Sequence, residues 1–138
     1  MPKELWINLP VKNANKSREF FTSIGFALNT QYGNSEHSAC LLVGSKNIVL
    51  MLFEEPAFEG FIQHQIADTT KGTEVLFSID AESIEATDEL AKTVENAGGI
   101  IFSKPNLHGG WMYGFGFLDL DGHRWNVLYM DMEKMPKG

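Results

Sequence analysis

The sequence predicts an α+β protein built from two copies of a βαβββ module, and three observations carry that expectation. The opening segment alternates Leu5, Ile7, Leu9 and Val11 against Trp6, Asn8 and Pro10, the period of a strand with one apolar face. A helical stretch closed by glycine follows, then three short strand-like runs separated by turn residues. From Thr73 the same order begins again, the mark of a duplicated supersecondary unit.

In the first module the helix is expected over residues 15–24, with Asn13 or Asn15 as its N-cap and Gly25 as its stop. Phe20, Phe21 and Ile24 then face a core. Strands follow over residues 26–32, 38–43 and 47–53, turned by Gly33-Asn34 and by Gly44-Ser45-Lys46. Residues 54–71 read as a linker carrying a short helix after Pro56, with Phe58, Phe61, Ile62 and Ile66 on one side.

The second module opens with a strand over residues 73–79, with Val75, Phe77 and Ile79 on one face and Glu74, Leu76 and Ser78 on the other. A helix over 82–97 buries Ile84, Thr87, Leu90, Ala91 and Val94 and stops at Gly98-Gly99. Strands over 100–103, 111–118 and 124–130 complete the set, the last two joined by the turn Asp119-Leu120-Asp121-Gly122. The loop over 103–110, with Pro105, Asn106, Gly109 and Gly110, is either a flap or a simple connection. The two modules, 1–55 and 72–133, form one domain spanning 1–138, since a chain of 138 residues supports a single core.

Composition narrows the function. A formal charge of −7 with scattered basic residues argues against binding nucleic acid or anionic membrane. No apolar run approaches the roughly 20 residues that cross a bilayer, and the first residues lack the features of a signal peptide, so a cytoplasmic protein is expected. Cys40 is the only cysteine, which rules out an internal disulfide and a thiolate zinc site. It reads as a buried structural residue.

Aligning the modules matches Trp6 with Glu74 and Leu50 with Asn126. Each helix covers the apolar face of its sheet, and the mixed faces are left to line a cup. The expected cup-facing set is Trp6, Asn8, Leu50, Leu52, Glu74, Leu76, Ser78, Asn126 and Leu128.

The segment LWINLPVKNANKSREFFTSIGF resembles the opening strand and helix of the vicinal-oxygen-chelate superfamily, the glyoxalase/bleomycin-resistance/dioxygenase proteins. FLDLDGHRWNVLYMD resembles the closing turn and strand of the same proteins. The resemblance implies the duplicated βαβββ fold, a homodimer, and in metal-dependent members an ion held by His, Glu or Gln at positions that fall here on Trp6, Leu50, Glu74 and Asn126. Leu50 has no donor atom, and the indole of Trp6 offers a hydrogen but no free lone pair. Catalysis by zinc, nickel, manganese or iron needs about three good protein ligands and an open position. One carboxylate and one amide fall short, and His37, His64, His108 and His123 do not pair at ligand spacing. No metal or other cofactor is therefore expected.

Two functions follow. In the first, the cup binds a small organic molecule without a transition metal: Trp6, with Trp111 and Tyr113, stacks on a flat or cationic ligand, Glu74 supplies counter-charge, and Asn8, Leu50 and Asn126 line the wall. In the second, a glyoxalase-type lyase or isomerase uses Glu74 as catalytic general base, with Asn126 or Asn8 polarising the substrate. Lacking a Lewis acid, that enzyme would lack its largest source of rate enhancement, so binding ranks first. Two blander alternatives stay open: Trp6 plugs the space a metal would occupy, or the chain is an interaction module with a closed cup.

Overall fold

Asn13 begins the first helix as the sequence suggests: its side chain accepts a hydrogen bond from the Lys16 amide, and α1 runs Ala14–Ser23. Around it, β1 (Trp6–Val11), β2 (Ala27–Leu28), β3 (Ser38–Val43) and β4 (Ile48–Glu54) form a four-stranded sheet in the order β1-β4-β3-β2. β1 runs parallel to β4, and the other neighbours are antiparallel. The computed structural model describes residues 1–136, in two compact units that divide between Gly72 and Thr73.

The second unit repeats the plan. β5 (Leu76–Asp80), α3 (Ile84–Asn96), β6 (Ile100–His108), β7 (Met112–Leu118) and β8 (Arg124–Met130) give the sheet order β5-β8-β7-β6, again with the first and last strands parallel. Between the sheets in sequence lies α2 (Glu55–Ile62), which carries Pro56 in its first turn and packs the ring of Phe61 edge-on against Phe53 at 4.9 Å. The expected α+β duplication is the fold of the chain, and no described helix is long and apolar enough to cross a membrane.

The register assigns the faces. Side chains of paired residues share a face, so Ile7, Leu50 and Leu41 stand together, as do Leu9, Leu52 and Ala39. Leu41, Leu50, Leu52 and Ala39 are at most 2% exposed, and they meet Phe20 and Phe21 of α1, whose rings touch at 5.1 Å. Each such buried Phe or Leu contributes roughly 1.5–3 kcal/mol of hydrophobic stabilisation. In the second unit Ala91 and Val94 of α3 join the buried Phe115, Phe117, Trp125 and Val127, with Phe117 and Trp125 stacked 6.2 Å apart. The Trp125 indole needs a partner there and donates to Asp119 Oδ2 at 3.0 Å. Asp119 also accepts from the amides of Asp121 and His123, which closes the turn before β8. Burial pushes the Asp119 carboxyl upward, against the opposing pull of His123 and these donors.

Three expected boundaries change. β2 ends at Leu28 rather than near residue 32, and the chain beyond it is irregular. β5 starts at Leu76, leaving Glu74 in a bend before the strand. β6 continues to His108, so the expected flap over 103–110 is mostly strand and only a short turn remains at Gly109-Gly110-Trp111. Pro105 is tolerated because β6 is an edge strand whose register shifts between Ile101 and Ser103 and again between Ser103 and Asn106. The first irregularity lays the Phe102 ring over Gly116, and a side chain at Gly116 would overlap that ring.

Two stability predictions follow from this packing. Gly116→Ala should cost about 1 kcal/mol by overpacking, and Phe102→Ala in the same chain should relieve part of the loss. Urea melts of both single variants and the double variant measure this; strictly additive effects would refute the contact. A second prediction concerns Glu54, whose Oε2 accepts from the Ala14 amide at 3.0 Å while Oε1 meets His37 Nδ1 at 2.6 Å. The Ala14 amide first, and then His37, hold the Glu54 carboxyl below its ordinary value, and Glu54 raises the His37 imidazole above its own. The carboxylate's contribution is present above 4.5 and fades as pH falls through its lowered value. The imidazole's is full below 6.5 and fades as pH rises through its raised value. The pair therefore stabilises most between pH 4.5 and 6.5. Glu54→Gln, which keeps an acceptor for Ala14, should flatten that part of the melting temperature against pH profile.

Candidate functional site

The face of the first sheet opposite α1 is set by the pairing of Trp6 with Val49 and of Val49 with Leu42. This row floors a recess of about 600 Å³, within the size range of small-molecule sites. Val49 is 7% exposed, whereas Trp6 at the rim is 61% exposed. Glu4, Lys46 and Asn47 line it together with the segment Asn29, Thr30, Gln31 and Tyr32. Tyr32 is also open to solvent, at 56%.

That segment is irregular yet heavily bonded. Arg18 of α1 donates through Nη2 to the carbonyls of Ser35 at 2.8 Å and Ser38 at 2.6 Å, and through Nε to Asn34 Oδ1 at 3.3 Å. Asn34 in turn accepts from the Cys40 amide at 3.0 Å and donates to the Asn29 carbonyl at 2.5 Å. Asn29 Oδ1 accepts from the Gln31 amide, which shapes the turn into Tyr32. Gly33, at φ +88°, lies so close to Cys40 that a Cβ would stand 2.6 Å from the cysteine Cβ. Only glycine fits both the backbone angle and the space. Burial raises the Cys40 thiol above its ordinary value, in keeping with a structural residue rather than a nucleophile.

In the second unit the open face carries the rows Ser78-Asn126-Gly116-Ser103 and Asp80-Leu128-Gly114-Asn106. A smaller recess of about 220 Å³ lies there, lined by Ser103, His108, Met112, Gly114, Asn126 and Leu128 among others.

The residues expected at the site thus divide. Trp6 and Asn8 stand on the open face of the first sheet, and Asn126, Leu128, Leu76 and Ser78 on that of the second. Leu50 and Leu52 do not: they pair with Ile7 and Leu9 and are buried toward α1, so both are removed from the lining. Their places are taken by Val49 and Met51, one residue out of step, because a single-residue slip exchanges the two faces. Tyr113 is also corrected. Its hydroxyl donates to Asp88 of α3 at 2.6 Å, which puts it on the helix side, and that bond raises the phenol above its ordinary value. Trp111 is half-buried in the turn before β7, and Glu74 is exposed outside β5. The sequence reading missed Tyr32, Lys46, Asn47 and Val49; a turn signal at Gly33-Asn34 was visible, but not the side chains it would gather.

The donor chemistry of the first sheet bears on the metal question. On the open face of β1 and β4 stand Trp6, Asn8, Val49 and Met51, an indole, an amide, an alkyl group and a thioether. None is a carboxylate or imidazole, the ligands that hold catalytic zinc, manganese or iron. Among the described residues no three His, Cys, Asp or Glu side chains are placed to share an ion. His37 is engaged with Glu54, His64 Nδ1 lies 3.3 Å from the Gln65 carbonyl, His123 belongs to the Asp119 turn, and His108 lines the second recess with Asn126. On β1 and β4 the side chains present do not fit the family's metal.

Known proteins agree with the fold. A hypothetical protein from S. aureus is 31% identical, covers 93% of this chain and 94% of its own, and superposes with a TM-score of 0.81. A glyoxalase/bleomycin resistance protein/dioxygenase family enzyme from Burkholderia phytofirmans PsJN is 16% identical over 89% of this chain and 94% of its own, at a TM-score of 0.75. The fosfomycin resistance protein FosX from Listeria monocytogenes is 18% identical over 97% and 98%, at 0.66. No functionally curated protein matches the sequence significantly. Residues 5–127 match the sequence profile of the Glyoxalase/Bleomycin resistance protein/Dioxygenase superfamily, and with the duplicated βαβββ architecture this makes the chain a member of that family.

Proposed function

We propose that the protein binds a small organic molecule on the open face of its first unit, without a transition metal. The single observation that carries this reading is Trp6, 61% exposed at the rim of a recess of about 600 Å³. A tryptophan that merely filled vacated space would be buried. One left open beside an apolar floor of Val49 and Leu42 offers a large flat surface for stacking, and its N–H remains free to meet a polar edge. The lyase alternative gains no comparable support, because Glu74 sits in an exposed bend and forms no hydrogen bond or ion pair with a described residue that would orient it as a base.

Tryptophan fluorescence, excited selectively, provides the test. A panel of aromatic compounds should quench or shift emission, and calorimetric titration, which does not depend on the fluorophore, should find the responding compounds about tenfold weaker on Trp6→Ala, the loss of one good aromatic contact. Dialysis against a chelator should leave the titration unchanged. A stoichiometric transition metal in the purified protein would overturn the metal-free part, and indifference of Trp6→Ala would overturn the site. Glu74→Gln should bind as the parent does.

A further inference from the structure

Resting on that reading, we infer that the recess of the first unit takes an aromatic zwitterion, a flat apolar ring carrying both an ammonium and a carboxylate. An aromatic α-amino acid is the simplest member of the class. The inference begins with two charges of opposite sign. Glu4 and Lys46 both line the recess, and neither forms an ion pair with the other or with any described residue. Glu4 lies just before Trp6, whose register partner is Val49, and Lys46 lies in the turn that leads into β4. Both charges therefore stand where β1 and β4 begin, at one end of the recess.

The aromatic surfaces complete the match. Trp6 and Tyr32 are open to solvent at the recess, and the row Val49-Leu42 provides its apolar floor. Tyr32 is not a loose side chain on a free loop, because the segment that carries it is tied to α1 and β3 through Arg18 and Asn34. Its wall is thus preorganised, which reduces the ordering cost of binding. A ring seated on this surface would place its polar head toward Glu4 and Lys46. An anion alone would meet Glu4 as a like charge, and a cation alone would meet Lys46. Only a ligand with both groups satisfies the pair, so the arrangement selects by repulsion as well as attraction.

The test uses a matched series of probes: L-phenylalanine, phenethylamine, phenylpropionate and phenethyl alcohol, each titrated by tryptophan fluorescence into the full chain and into Glu4→Gln and Lys46→Met. Thermal melts establish that each variant is folded. L-Phenylalanine should bind tighter than the three analogues. Lys46→Met should weaken L-phenylalanine roughly twofold to fivefold, the range of a solvent-exposed ion pair, and leave phenethylamine no weaker. Glu4→Gln should weaken L-phenylalanine and spare phenylpropionate. Equal binding of all four probes, or charge variants that change nothing, would overturn the zwitterion class while leaving the recess as a binding site. If the series is silent but other aromatic compounds respond through Trp6, the class again falls alone; if no aromatic compound responds, both readings fall together.

Discussion

Parallel pairing between the first and last strand of each module is the constraint on which the rest depends. A parallel pair cannot be closed by a tight turn and needs a crossover, and here each module carries its chain across a helix and two further strands before the partner strand is laid down. That route places α1 between β1 and β2, and α3 between β5 and β6. It also fixes which side chains share a face. Once Trp6 is in register with Val49, Leu50 must turn toward α1, and the whole allocation of core and open face follows from that one pairing.

Around this frame, polar side chains hold the irregular backbone that strands and helices leave over. Asp119, itself buried, gathers two amides and the Trp125 indole within its turn. Arg18 and Asn34 do the corresponding work in the first module, reaching carbonyls that no strand partner satisfies. A backbone group buried without a partner costs as much as a lost hydrogen bond, so these residues permit the chain to leave regular structure beside a sheet. The segment held by Arg18 is the one that brings Tyr32 to the recess.

Family membership and site chemistry point in different directions, and the difference is local. The duplicated fold is intact, yet the open-face positions of β1 and β4 present an indole, an amide, an alkyl group and a thioether. Such a surface cannot polarise a substrate as a divalent ion does. It can stack, exclude water and offer hydrogen bonds at its rim, the properties on which the proposed binding rests. Glu4 and Lys46 then become the groups that would decide which ring is accepted.

Local pattern alone determined the order of elements, the duplication and most of the core. Alternation in β1, the glycine after α1 and the Asp119-Gly122 turn are signals that act over a few residues, and β3 and β8 fall where they indicated. Trp6, Asn8 and Asn126 were legible as open-face residues for the same reason: their strands alternate or have a polar marker. Leu50 was not, because β4 reads Ile-Val-Leu-Met-Leu-Phe, an unbroken apolar run whose two faces look alike until a neighbouring strand sets the register. Tyr113 and Tyr32 likewise depended on partners distant in sequence, Asp88 in one case and Arg18 with Asn34 in the other. Periodicity reports whether a residue can lie on a buried face; only long-range pairing decides which face, and which charges and rings meet there.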